Sequence, residues 1–176
     1  MIRKYLLLLA LVSFSLPLFA QLKLTKRFQK ALDQANLELA TPTENSYRKI
    51  RLRRNTIFNC DFAMRQRRGD LEIRYALAQS DYPHISCSAV ATNVASNEEP
   101  STLVIHDISA EELTQRYHAD WGAIVYFRPK EEFSGKTHGK LLALYREGKG
   151  MIYTFYLFDE ITEELENQRY LLQFKK

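Results

Sequence analysis

Three segments in the second half of the chain, Trp121 to Arg128, Leu141 to Glu147 and Met151 to Phe158, read as strongly apolar strands. Successive side chains of a strand point to opposite faces of its sheet. Trp121, Ala123, Val125 and Phe127 oppose Ile124 and Tyr126, while Met151, Tyr153, Phe155 and Leu157 oppose Ile152, Tyr156 and Phe158. A strand that is apolar on both faces belongs in the middle of a sheet covered above and below. Gly148-Lys149-Gly150 joins the last two segments as a hairpin turn, so the sheet is expected to be mostly antiparallel. The covering helices must then come from before, between and after the strands. The expected class is α+β, an antiparallel sheet sandwiched by helices.

The rest of the chain supplies those pieces. Leu24, Phe28, Ala31, Leu32 and Ala35 recur at helical spacing after Thr25, which predicts a capped amphipathic helix over 25–36. Tyr47 to Leu52 alternates apolar and basic residues, as an exposed strand does. Ile57 to Gln66 and Leu71 to Gln79 read as two strands joined by the turn Arg67-Arg68-Gly69-Asp70. In the second, Leu71, Ile73, Tyr75 and Leu77 share one face; Glu72, Arg74, Ala76 and Ala78 share the other. Cys87, Val90, Ala91 and Val94 form a stripe that predicts a helix over 84–97, ended by Asn97-Glu98-Glu99-Pro100-Ser101. Ser109 followed by Glu112 is a capping box opening a short helix to about His118. Ile161, Leu165, Tyr170, Leu172 and Phe174 predict a final amphipathic helix. No repeat, low-complexity segment or linker interrupts residues 21–176, which read as one domain.

Residues 1–20 are set apart. Met1-Ile2-Arg3-Lys4 is a basic head, Tyr5 to Leu16 is almost continuously apolar, and Ser15, Pro17 and Ala20 precede an expected cut before Gln21. The run is shorter than the ~20 apolar residues a membrane-spanning helix needs, and no Cys stands at the cut for a lipid anchor. The expectation is a cleaved secretory signal, hence a secreted or periplasmic protein that is not transmembrane after cleavage. Loss of Arg3 and Lys4 lowers the formal net charge from +4 to +2, which weakens any argument for a polyanion partner from whole-chain charge. With 45% hydrophobic and 12% aromatic residues the chain is neither disordered nor membrane-embedded.

The order helix, strands, helices, three strands, helix resembles the layered α-β-α sandwich of the Mog1/PsbP-like superfamily. Leu71-Glu72-Ile73-Arg74-Tyr75, Ala119-Asp120-Trp121-Gly122-Ala123 and Tyr156-Leu157-Phe158-Asp159 resemble segments of a group of uncharacterised exported bacterial proteins. The resemblance implies a fold and a non-catalytic accessory or binding role. It carries no functional residue onto this chain.

Reactive constellations are sparse. His84, His106, His118 and His138 lack metal-ligand spacing, so no metal and no cofactor is expected; His118 with Asp120 is a pair short of a third ligand. Ser134, His138 and Glu132 lie in an ordinary loop context rather than a nucleophile elbow. His84 and Cys87 are one helical turn apart, but Cys87 falls on the apolar stripe. Glu72, Asp120 and Asp159 are the acids that a glycosidase-like pair would draw on. Arg74, in mid-strand, asks for a partly buried ion-pair partner among such acids. Cys60 and Cys87 could be bridged in an oxidising compartment or serve as small apolar residues. Both readings stay open.

The asymmetric signal is basic. Arg48, Lys49, Arg51, Arg53, Arg54, Arg65, Arg67, Arg68 and Arg74 face only three acids between positions 48 and 74. Arg51, Arg53, Arg54, Arg67 and Arg68 are candidates for an anionic partner: a lipid headgroup, an acidic polysaccharide or an acidic protein face. The competing reading is an edge strand protected by its charges. Nucleic acid is not expected, because stacking aromatics are not interleaved. The sequence thus points to an exported non-catalytic binding or accessory module. The alternatives are an envelope hydrolase using convergent carboxylates or the His84–Cys87 pair, and a structural protein docking through its basic strand.

Overall fold

A computed structural model describes residues 21–43, 45–52, 57–96, 103–161, 165 and 172–176. The expected signal segment, Arg53, Arg54, the turn at 97–101 and most of the expected last helix lie outside these residues. The main sheet has seven strands, all paired antiparallel: β2 (Tyr47–Lys49), β3 (Phe62–Gln66), β4 (Glu72–Ala78), β8 (Gly150–Phe158), β7 (His138–Arg146), β6 (Trp121–Phe127) and β5 (Ile105–Asp107), in that spatial order. β8 stands at its centre and every residue along it is buried, as its two apolar faces require. Among the described residues no helix is long and apolar enough to cross a membrane.

Each face carries its own core. On the first, Ile73, Tyr75, Leu142, Leu144, Ile152 and Tyr156 meet Phe28 and Leu32 of helix α1 (Lys26–Gln34). Thr25 caps α1 by accepting a hydrogen bond from the Phe28 amide at 3.2 Å. Phe28 stacks on Phe62 at 5.1 Å, locking helix to sheet. The same face receives Leu113 and Tyr117 from the segment after Ser109. There a single turn, α3 (Ala110–Glu112), is capped by the Ser109 hydroxyl and widens at once into a π-turn over Leu113–Tyr117, ending at His118 with φ of 50°. On the second face, Cys87, Val90, Ala91 and Val94 of α2 (Pro83–Val94) pack on Ala123, Val125, Ala143, Tyr153 and Phe155. The domain is therefore α+β, with helices on both sides of one large antiparallel sheet.

Two expectations are corrected. Leu172 and Phe174 do not lie on a helix: they form β9 (Leu172–Phe174), which pairs antiparallel with β1 (Leu37–Leu39) as a separate two-stranded sheet over the first core. Both side chains are buried against that core, and pairing at i, i+2 buries them as a helix would not. The segment expected as a strand from Ile57 begins pairing in β3 only at Phe62, because Ile57, Phe58 and Cys60 fold over the second core instead. Of the two readings open for Cys60 and Cys87, the structure has the unbridged one: both are free thiols, Cys87 within the second core and Cys60 packed against it.

Candidate functional site

The ends of β6, β7 and β8 build the candidate site. In the β6–β7–β8 register Tyr126 lies opposite Lys140, and Lys140 opposite Tyr156, so the three side chains form a row on the first face of the sheet. His138 pairs with Phe158 one step further toward the sheet's end, their rings 5.8 Å apart. Beyond them the chain turns past Asp159 to Ile161 and Leu165. Tyr126, His138, Lys140, Phe158, Asp159, Ile161 and Leu165, together with Phe127, Arg128 and Gly139, line a cavity of about 890 Å³, within the range of small-molecule sites.

Lys140 is the unusual member. Only 6% of it is exposed. Its ammonium sits 5.9 Å from the centre of the Tyr126 ring, a cation–π distance, and among the described residues it forms no ion pair and no hydrogen bond. Burial lowers its pKa below the usual lysine value, and Arg116 on the π-turn adds to the depression while Glu112 partly offsets it. Glu112 is already engaged, accepting from Arg116 Nη1 at 3.4 Å and from the Tyr117 hydroxyl at 3.1 Å. Tyr156, the cross-strand neighbour of Lys140, keeps a buried hydroxyl without a hydrogen-bond partner among the described residues. Burial raises its pKa further than any charge nearby. Buried polar groups are ordinarily satisfied. The Tyr156 hydroxyl is an exception, and it stands on the strand beside the lysine that lines the cavity.

The cavity rim is fixed by a second network. Lys136 donates to both Asp70 and Asp159, at 2.9 Å to the latter, and Asp70 accepts from the backbone amides of Asp159 and Glu160. Asp159 also accepts from the Thr137 amide and hydroxyl at 2.8 and 2.9 Å. The Lys136 bond first, and then those from Thr137, hold its carboxyl at a pKa of about 2. These bonds tie the β3–β4 turn, the loop before β7 and the end of β8 together.

The acids singled out from the sequence do not converge. Asp159 is at this end of the sheet; Asp120 is at the other, accepting from the Glu147 amide at 2.7 Å beside the β7–β8 hairpin. Glu72 lies on the second face, fully buried, and it is the acid that Arg74 holds: Arg74 Nε donates to it at 2.6 Å and Arg65 Nε at 2.9 Å. Arg74 reaches on to the Phe133 carbonyl at 2.6 Å and lies over the Phe133 ring at 4.8 Å. His84 turns to Trp121, ring centres 4.6 Å apart, while burial pushes the Cys87 thiol up to about 11. Ser134 accepts from the Lys136 amide, Glu132 is exposed, and His138 rests on Phe158, so that trio is dispersed. His118 Nδ1 pairs with the Thr114 carbonyl at 3.0 Å, away from Asp120's backbone contact. Among the described residues no three His, Cys, Asp or Glu side chains group as a metal site.

Of the basic candidates, Arg51, Arg67 and Arg68 are exposed, as are Arg48 and Lys49 on the edge strand β2; Arg53 and Arg54 lie outside the described residues. Arg65 and Arg74 are drawn inward by Glu72 and do not join that surface. Sequence reasoning missed Lys140 because the strand was started at Leu141. The signal that would have found it is a lone lysine preceding the alternation of a strand buried on both faces. No family model, no curated protein and no solved structure matches this chain.

Proposed function

We propose that this protein is an exported, secreted or periplasmic, binding module without catalytic activity, and that its ligand occupies the cavity at the ends of β6, β7 and β8. The observation that carries the reading is Lys140: a lysine only 6% exposed that lines an open cavity, with an aromatic ring but, among the described residues, no acid against it. Natural chains rarely bury lysine unpaired. The commitment of Glu72, Asp120 and Asp159 to backbone and arginine partners favours binding over hydrolysis. Helices on both faces of an antiparallel sheet support a Mog1/PsbP-like assignment as the finer description of the fold. An experimental structure superposed on that superfamily tests it.

The binding reading is tested on residues 21–176 with two fluorescent amphiphiles, the neutral N-phenyl-1-naphthylamine and the anionic anilinonaphthalene sulfonate. Saturable binding of at least one, at one per chain, is expected. Ile161 is 71% exposed at the cavity mouth, so Ile161→Trp should fold and block entry. If neither probe binds, or if the blocked variant binds both unchanged, the reading fails.

A second reading, docking of an anionic envelope component or an acidic protein face, is favoured by one specific observation. Arg48, Lys49, Arg51, Arg67 and Arg68 are exposed together along the β2 edge and the adjoining β3–β4 turn. Capture of such a partner should weaken sharply between low and high salt, since exposed charges are screened beyond ~8–10 Å. Charge reversal at Arg51 and Arg68 should abolish it.

A further inference from the structure

We infer that the cavity takes an amphiphilic anion, a single carboxylate or phosphate head on an apolar body, with the head at Lys140 and the body along Phe158, Ile161 and Leu165. This rests on the binding reading above and adds the ligand class. The pairing of the charges at this corner leads to it. Arg116 is paired with Glu112, and Asp159, the acid among the described lining residues, is held by Lys136 and Thr137. Lys140 is the least exposed cation here and, among the described residues, pairs with no acid. An anion arriving at Lys140 would meet that cation where little water competes, and a charge-assisted hydrogen bond is strongest there.

The rest of the lining sets the shape of the ligand. Phe158 is buried and forms an apolar floor, while Ile161 stands largely exposed at the mouth, so a purely ionic ligand would leave that surface uncovered. The Tyr126 ring, 56% exposed, closes over the Lys140 ammonium from the β6 side. It fixes the ammonium without neutralising it, because a ring face attracts a cation but carries no net charge. His138, exposed beside the row, offers an imidazole nitrogen near the head position.

Calorimetric titration of residues 21–176 with four ligands sharing a ten-carbon chain tests this: decanoate, decyl phosphate, decanol and decylammonium. Decanoate or decyl phosphate should bind at least tenfold more tightly than decanol, and decylammonium should not bind. The two anions separate a fatty-acid-like from a phospholipid-like head. Lys140→Met keeps the stem and removes the charge. It should weaken the preferred anion at least tenfold while leaving decanol unchanged, and circular dichroism of the variant should match the parent. Decanol bound as tightly as the anions, or an anion unaffected by Lys140→Met, would overturn the ligand class yet leave the cavity as a binding site. Failure of all four ligands, with both fluorescent probes silent, would overturn the site itself. The head-group comparison on the parent chain decides the matter even where the variant does not fold.

Discussion

Replacing Glu72 with Gln removes one buried negative charge at nearly constant volume, and its cost follows from what remains. Arg74 has a side chain only 12% exposed; after the change its guanidinium keeps the Phe133 carbonyl and ring but no counter-charge. A hydrogen bond to a charged group contributes ~1.5–3 kcal/mol when buried. Arg65, at 41% exposed, adds a largely surface-type contact worth ~0.2–1 kcal/mol. The expected loss is about 3 kcal/mol, in line with the ~3–5 kcal/mol found when one member of a buried pair is removed. Urea denaturation followed by circular dichroism should show the midpoint falling with the slope unchanged. In a double-mutant cycle with Arg74→Met the coupling should be about 2 kcal/mol, and with Arg65→Met below ~1 kcal/mol. The combined Glu72→Leu, Arg74→Met chain should lose less than Glu72→Gln alone, because both charges have gone. A loss under 1 kcal/mol for Glu72→Gln, or a larger coupling to Arg65 than to Arg74, would refute this account of the second face.

Other outcomes follow from local geometry. Gly150→Ala should destabilise by about 2–3 kcal/mol, since its φ is 90° and an added Cβ would come within 2.5 Å of the Ala78 carbonyl. Gly148→Ala, with φ of 69° and open space around it, should lose only about 1 kcal/mol in the same urea series. Burial pushes the Cys60 thiol up to about 12 and the Cys87 thiol to about 11. Both should resist alkylation at pH 8 in the native state, and mass spectrometry should count two modified thiols after unfolding. Asp159 should titrate near 2 by carboxyl NMR, and Lys136→Met should move it up toward the ordinary value. Its folded pKa lies below the unfolded one, so its contribution is present above about pH 4. That contribution is lost as pH falls toward 2, and the Lys136 variant should show a shallower acid loss.

Residues whose environment is set by near neighbours in sequence were legible. Leu71, Ile73, Tyr75 and Leu77 all face the first core while Ala76 and Ala78 between and beyond them face the second, as the period requires, and Cys87, Val90, Ala91 and Val94 meet the sheet together. Thr25 and Ser109 cap where their spacing places them. Elements stabilised from far away were not. β1, β5 and β9 are three residues each, too short to show a period, and β9 takes its conformation from Leu37–Leu39 at the opposite end of the chain. Leu172 and Phe174 are apolar enough for either geometry, and the distant partner decides. The same limit hid the candidate site. Glu72 and Arg74 could be placed on one face from their i, i+2 spacing, but the row Tyr126–Lys140–Tyr156 depends on the register of three strands. The local hint at Lys140 is its place just before a strand apolar on both faces.

The small sheet made by β1 and β9 has a temporal consequence. Leu172 and Phe174 complete the layer that seals Leu37, Phe28 and Leu32 against the first face. Until Leu172 and Phe174 dock, one side of the seven-strand sheet stays unroofed however well its strands have paired, and the apolar surface of Leu37, Phe28 and Leu32 lies open to water.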